Sequence, residues 1–332
     1  MKQQRNHKRN RLWIPAFLCL LSASLLRAQE KKEAPAVTAS KALKLSGFTQ
    51  LIYTAQDVGV DGFSVNRARL TFAGEFLKNV RYKLQIDTVK SPILLDAQME
   101  FVLSQAAAFR IGQFKVPFSQ ENLIASSELD TINRSQTVLK LCPGREIGAS
   151  GRDIGAIVYG KYSIVEYSAG VFNGAGINKV DTNEEKDLAA RLLVHPTGFL
   201  TIGASFYDGH YSEKAGSPAV TRNRTGFETA IVYNDFSLKG EIIAAKDDTT
   251  PKRGWYLQGG YFVMAKTLQA IVKYDSYDKN TDISLDRSNL FTLGLNWFLA
   301  DKTKIMVNFE LSKDESGKTT NSALLAQFQA GF

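Results

Sequence analysis

Cysteine and histidine are almost missing from this chain: two of the first and three of the second in 332 residues. Cys19 falls in an N-terminal segment read as removed, which leaves Cys142 alone. One thiol forms no internal disulfide and no thiolate metal pair. His195 and His210 stand far apart, without HExxH spacing. No metal site and no cofactor is expected. Long apolar runs are missing too. Beyond residue 28 no stretch approaches the roughly 18 apolar residues of a membrane helix.

The apolar run that does exist, 12–26, follows Lys2, Arg5, Lys8, Arg9 and Arg11 and leads to Ala28. That order reads as a secretory signal peptide over 1–28. The run is too short to anchor and contains Pro15, and Leu18 stands where a lipoprotein signal before Cys19 needs a small residue. Taking these five bases and Arg27 from the formal +8 leaves +2. The basic balance therefore belongs to export, and no basic aromatic tract supports nucleic-acid binding. Residues 29–42, rich in Lys, Glu, Ala and Pro, read as a short periplasmic extension; 43–332 is the folded domain.

Within that domain polarity flips at every residue. Val80, Tyr82, Leu84 and Ile86 alternate with Arg81, Lys83, Gln85 and Asp87; Ile305, Val307, Phe309 and Leu311 alternate with Lys304, Met306, Asn308 and Glu310. A strand with lipid on one side and a wet lumen on the other needs this pattern. It repeats about sixteen times with no amphipathic helix between, near 43–55, 62–74, 80–88, 94–104, 107–115, 151–161, 163–173, 187–195, 199–208, 224–233, 236–246, 254–263, 266–276, 289–299, 303–312 and 322–332. The connections alternate short and long, with long ones at 173–186, 209–223 and 276–288. The last strand ends on Phe332, the kind of terminal aromatic that barrel-assembly machinery recognises. The expected fold is all-β: an antiparallel transmembrane β-barrel in a bacterial outer membrane, both termini periplasmic. Tyr53, Tyr82, Phe109, Phe172, Phe206, Trp255 and Trp297 lie near strand ends, where interfacial girdles form.

Several stretches carry a family resemblance: Gly47-Phe48-Thr49-Gln50, Asn66-Arg67-Ala68-Arg69-Leu70, Leu95-Asp96-Ala97, the block 110–121 continuing to Ile132-Asn133-Arg134-Ser135, Gly151-Arg152-Asp153-Ile154-Gly155, Phe172-Asn173-Gly174 and Lys273-Tyr274-Asp275. In order and spacing these resemble the phosphate-selective porin family, porin O and P. The resemblance implies a sixteen-stranded pore, a homotrimer, and a long third extracellular loop folded into the lumen. Segment 115–150 is the longest gap between strands and stands in that place. A barrel of this size leaves a wide aqueous channel unless something occupies it.

Charges at the narrowest point set ion selectivity. The strand register turns Arg67, Arg69, Arg81, Lys83 and Arg110 into the lumen, with Lys115, Arg134, Lys140 and Arg145 on or beside the loop. Guanidinium forks match phosphate geometry. Against them stand nine inward acids (Asp87, Asp96, Glu100, Asp153, Glu166, Glu228, Glu241, Asp275, Glu310), four further inward bases (Arg191, Lys239, Lys273, Lys304), and the loop's Glu121, Glu128, Asp130 and Glu146. The expectation is a basic wall facing an acidic loop and a diffusion porin for small hydrophilic solutes with modest anion preference. A non-selective porin and a surface adhesion barrel remain open beside it. An enzyme is disfavoured, because His195 beside Pro196 has no identifiable partner in the sequence.

Overall fold

A computed structural model describes residues 43–317 and 320–332; the signal peptide and extension expected over 1–42 lie outside the described residues. Sixteen strands follow in chain order: β1 Lys44–Gln56, β2 Gly62–Leu77, β3 Val80–Asp87, β4 Leu94–Val102, β5 Ala108–Lys115, β6 Arg152–Tyr162, β7 Val165–Phe172, β8 Asp187–Thr197, β9 Leu200–Tyr211, β10 Val220–Tyr233, β11 Phe236–Asp247, β12 Thr250–Met264, β13 Leu268–Asp278, β14 Arg287–Ala300, β15 Thr303–Asp314 and β16 Thr320–Gly331. Each pairs antiparallel with its neighbours, and β1 pairs with β16, so the sheet closes. Gly47 and Phe332 exchange backbone N–H···O bonds at the seam (3.1 and 3.0 Å). Asp57 accepts from the Ser322 N–H and hydroxyl, which tie the first hairpin connection to β16. The hydroxyl, then the N–H, holds the Asp57 carboxyl below its ordinary value.

Period-two polarity sorts the faces. On β15 Lys304, Met306 and Asn308 are buried while Val307, Phe309 and Leu311 are exposed. Exposed apolar side chains thus cover the outside of the ring, and polar ones are buried within it. Asn79 and Asn234 take left-handed φ (67° and 52°) in two-residue turns, as Asn tolerates.

Several strands run further than alternation indicates. β10 begins at Val220, β12 at Thr250 and β14 at Arg287, and β13 reaches Asp278. The loops at 212–219 and 279–286 shrink accordingly, and β11 joins β12 through 248–249 alone. Expected length alternation is therefore weaker than the sequence suggested. Beyond the apolar band both faces are polar, so Arg222, Asn223, Lys252 and Asp278 extend the ladder without any hydrophobic signal. Phe172 also departs from expectation. It faces inward, fully buried, edge-on to Phe114 at 5.5 Å, whereas Phe109, Phe206, Trp255 and Trp297 are exposed on the outer face.

Residues 116–151 join β5 to β6 and carry two short helices, α1 Gln120–Leu123 and α2 Gln136–Leu141. Ser126 bonds Gln50 of β1 and Arg69 of β2; Asp130 bonds Lys239 of β11 and Gln258 of β12, far round the ring. A segment that reaches the same polar face on both sides of a closed ring crosses its interior. Phe118, Val138, Leu141 and Cys142 are fully buried there against Ile157, Phe172, Ile243 and Tyr256. Each such apolar side chain contributes roughly 1.5–3 kcal/mol to holding the segment in place.

Candidate functional site

One wall of the lumen grips this segment by its helix ends. Unpaired N–H groups at a helix start attract carboxylates. Glu241 on β11 supplies one to α1, accepting from the Ser119 hydroxyl (2.8 Å) and the Gln120 N–H. Asp275 on β13 serves α2, accepting from the Gln136 N–H and the Thr137 hydroxyl. Glu121 accepts from the Ser135 N–H and hydroxyl (2.8 Å each) and pairs with Lys273 of β13. Burial alone raises such a carboxyl, but the Lys273 ammonium and then Arg134 outweigh it and hold Glu121 below the ordinary carboxylate range. Asp130 pairs with Lys239 (2.7 Å), and Glu146 with Arg222 (2.8 Å). Burial keeps the Glu146 carboxyl raised, with Arg222 and Arg224 only partly offsetting it.

The opposite wall is left open. A cavity of about 420 Å³ lies along β1–β6, lined by Arg69, Lys83, Arg110, Lys115, Arg152 and Glu128 among others; a second of about 460 Å³ shares Arg110, Lys115 and Leu123 with it and adds Arg81 and Arg191. Several bases here are paired across strands: Arg69 with Asp87 (2.9 Å), Lys83 and Arg152 with Asp96 (2.7 and 2.6 Å), Arg110 with Glu100 (2.7 Å). Arg110 also lies over the Phe114 and Tyr159 rings at 5.3 and 4.7 Å. Others, among the described residues, have only neutral oxygens. Arg67 donates to Gln50 Oε1, Lys115 to the Leu123 and Ile124 carbonyls, Arg134 to the Glu121 and Ile124 carbonyls, and Arg145 to Asn122 Oδ1. These cations act on one another. Burial, then Arg145, lowers Arg134 well below its ordinary value, with Arg67 and Arg69 adding to it. Burial and the nearby Arg152 and Arg69 push Arg145 down to about 10, so it stays charged at neutral pH. Lys90, in the β3–β4 connection, is lowered by burial and then by Arg67.

This reverses the expected arrangement. The basic wall does not face an acidic loop: Glu121, Asp130 and Glu146 are engaged on the far side, and the loop presents Arg134 and Arg145 to Arg67 and Arg69. Glu128 is the exception, exposed on the cavity. Arg67, Arg69, Arg81, Lys83 and Arg110 share the inward face, and among the described residues no carboxylate pairs with Arg81. Lys140, in the last turn of α2, is exposed and stands apart from the cation group.

The motifs behind the resemblance interlock around the segment. Asp96 holds Arg152; Asp153 accepts from Gly174 N (2.8 Å); Phe114 packs on Phe172; Lys273 and Asp275 hold Glu121 and α2. Arg222 and Arg224 are buried lumen charges that the sequence reading missed. Parity from Glu228 points to both; Arg222 lies before the expected start of that strand at 224, and Arg224 is the start itself. Arg152 was missed because it is buried beside the equally buried Asp153, where strict alternation allows only one inward residue.

His195 does have partners, which corrects the sequence expectation. Nε2 lies 3.1 Å from Glu166 and Nδ1 3.0 Å from the Thr201 hydroxyl. Glu166 also pairs with Lys161 (2.9 Å). β6, β7, β8 and β9 bring these residues together although each is remote or unremarkable in the sequence.

Comparison with known proteins agrees with this architecture. The model of the family described as phosphate-selective porin O and P matches residues 46–217 and 211–330. No curated protein sequence matches. Among solved structures, the trimer form of OmpT, an outer membrane protein of Vibrio cholerae, superposes with TM-score 0.62 at 12% identity, covering 87% of this chain and 99% of that one. The outer membrane channel DcaP of Acinetobacter baumannii gives 0.62 at 12%, covering 88% and 98%. OmpF of Salmonella typhi, in complex with daunomycin, gives 0.60 at 8%, covering 87% and 98%. At these identities the structures speak for the fold, a closed sixteen-stranded outer-membrane barrel. With the family model matched along nearly the whole described barrel, the chain belongs to the phosphate-selective porin O and P family and is an outer-membrane porin.

Proposed function

We propose that this porin passes small hydrophilic solutes by passive diffusion with a modest preference for anions, phosphate among them, and that the inward segment is its constriction. One observation carries the reading: Lys115 lines the open side of the lumen, Arg67, Arg134 and Arg145 gather beside it, and among the described residues all four have neutral hydrogen-bond partners only. A cation without a carboxylate partner leaves its field to a passing solute, and a narrow pore focuses that field. Glu128 and the paired wall bases keep the preference modest. Reversal potentials in planar bilayers, with chloride and phosphate compared, test it. Anions are expected to carry the larger current, and Lys115→Gln with Arg145→Gln to reduce that share. Cation preference, or an anion preference that survives both substitutions, overturns the reading; a silent bilayer favours an adhesion barrel instead.

The same reading includes a homotrimer set in outer-membrane lipid. Its support is the low wall of β3, β4 and β5, at 8, 9 and 8 residues, beside the roughly 9–11 that a tilted strand needs to cross. A related fold is also known in a trimer form. Unheated gel migration at three times the monomer mass is the expected result; a monomer counts against it. Phe332, exposed at the seam, is the proposed recognition point for the barrel-assembly machinery, tested by Phe332→Ala, which is expected to lower the assembled fraction.

A further inference from the structure

The return arm of the inward segment, from α2 back to β6, is a run of turns with no helix or strand. Gly144, Gly148, Ser150 and Gly151 all take left-handed φ along it. Such a stretch has little intrinsic stiffness, yet it carries Arg145, one of the four cations on the open side. Turn hydrogen bonds within the arm (Gly148 N–H to Arg145, Ala149 N–H to Gly144) fold it, and what packs on it from outside is the start of another loop, between β7 and β8.

That loop turns inward at once. Asp153 accepts from the N–H groups of Gly174 (2.8 Å) and Gly176 (3.3 Å). Arg222 donates to the Gly174 carbonyl (3.0 Å) and, with its other nitrogen, to Glu146 on the return arm (2.8 Å), so one guanidinium ties both loops together. Ala175 and Ile177 are buried, the latter against Ala149 and Ile147 of the arm and Leu95 of β4. At the far end Asn178 and Gln113 exchange two hydrogen bonds (2.6 and 3.0 Å), and Asn178 donates to the Leu94 carbonyl (2.8 Å). The fit is close: a Cβ on Gly176, at φ +86°, comes within 2.8 Å of Ala149 Cβ.

We propose that residues 174–178 form a strap that holds the return arm in place, that Asp153 is its positioning residue, and that the strap thereby fixes Arg145 at the gap. The strap thus sets selectivity without touching the solute. This rests on the anion reading of the gap for its electrical consequence, but not for its mechanical one.

The test uses the full-length refolded porin. Asp153→Asn and Asn178→Ala are each compared with wild type in two ways. In bilayers, each is expected to lower the anion-to-cation permeability ratio to that of Arg145→Gln and to add nothing in the Arg145→Gln background, the signature of one residue acting through another. In limited proteolysis, trypsin is expected to leave the bond after Arg145 intact in wild type and to cut it in both strap variants. Gel migration and β-sheet circular dichroism verify the barrel, and Asn178→Ala, at the rim, serves if Asp153→Asn does not fold. Folded strap variants that keep the wild-type ratio and resist trypsin overturn the proposal, as does an effect fully additive with Arg145→Gln. If wild type lacks anion preference but the variants alone are cut after Arg145, the strap stands and the anion reading falls.

Discussion

The two sides of this lumen carry similar bases and use them oppositely. On the β11–β15 side Lys239, Lys273 and Lys304 are turned onto the inward segment, bonded to Asp130, Glu121 and the Leu129 carbonyl. On the β2–β6 side Arg69, Lys83, Arg110 and Arg152 pair within the wall, and the segment approaches with cations of its own. The first wall holds the segment by its acids and helix starts; the second touches it at Ser126, Leu123 and Ile124 and leaves the path beside it. Charge counted along the chain misses this, because nine inward acids against nine bases balance only until one asks which of them share a side.

The strongest way to break the comparison is to release the gripping wall. Lys273→Met leaves Glu121 buried without its ammonium, and losing one partner of a buried pair costs about 3–5 kcal/mol. The backbone ladder does not depend on the Lys273 side chain, so the loss is expected to fall on the segment. Single-channel recordings should then show larger and noisier conductance with sheet content unchanged. A quiet channel of wild-type size would mean that the grip is spread over Asp275, Glu241 and the apolar cluster, not concentrated at Glu121.

Acid sharpens the same point. Glu121 is held below its ordinary value, so its contribution to docking is fully present above about pH 4.3 and is lost as pH falls through its value in the folded protein. Wild type is expected to become noisy on acidification below that point, and Glu121→Gln to be noisy at neutral pH already. Identical pH profiles for the two proteins would remove Glu121 from the account.

The open wall predicts a smaller, electrical effect. One unit charge about 6 Å away in water favours a permeating anion by about 0.7 kcal/mol and disfavours a cation by as much, roughly tenfold in their permeability ratio. Arg145→Gln is therefore expected to lower the anion-to-cation ratio by about that factor with little change in conductance. Raising the salt from about 0.1 M to 1 M, where the screening length falls from about 10 to 3 Å, should erode the difference between variant and wild type. A ratio insensitive to salt would place selectivity in pore size instead.

The sequence made the outside of this molecule legible and the inside only partly so. Lipid writes its demand residue by residue, and sixteen strands and their faces follow from alternation. The inward side has no such uniform solvent. Which acids serve the plug depends on long-range register that pairs Glu121 with Lys273, 152 positions away. Asp153 gave no local hint that it would hold Gly174, and Phe172 looked like a girdle aromatic because an inward plug that buries it is invisible to a count of strand ends. The motifs themselves were readable, but as a resemblance only; their physical role as docking points needed the two sides of the ring brought together.

The smallest expected effect concerns Cys142, and it tests how firmly the plug is held at rest. Its thiol is buried in the cluster of Phe118, Val138 and Leu141, and burial pushes it above its ordinary value. Thiolate is the species that alkylates, so both access and ionisation protect it. In the folded porin, maleimide labelling of Cys142 is expected to be negligible over the time in which a denatured sample labels completely. Because reaction requires the segment to leave its wall, the residual rate reports how often it does so. Lys273→Met should raise that rate strongly, whereas Arg145→Gln, which removes a bond to Asn122 but none to the gripping wall, should leave it close to the wild-type level. Equal rates in the two variants would mean that gripping side and open side are one mechanical unit.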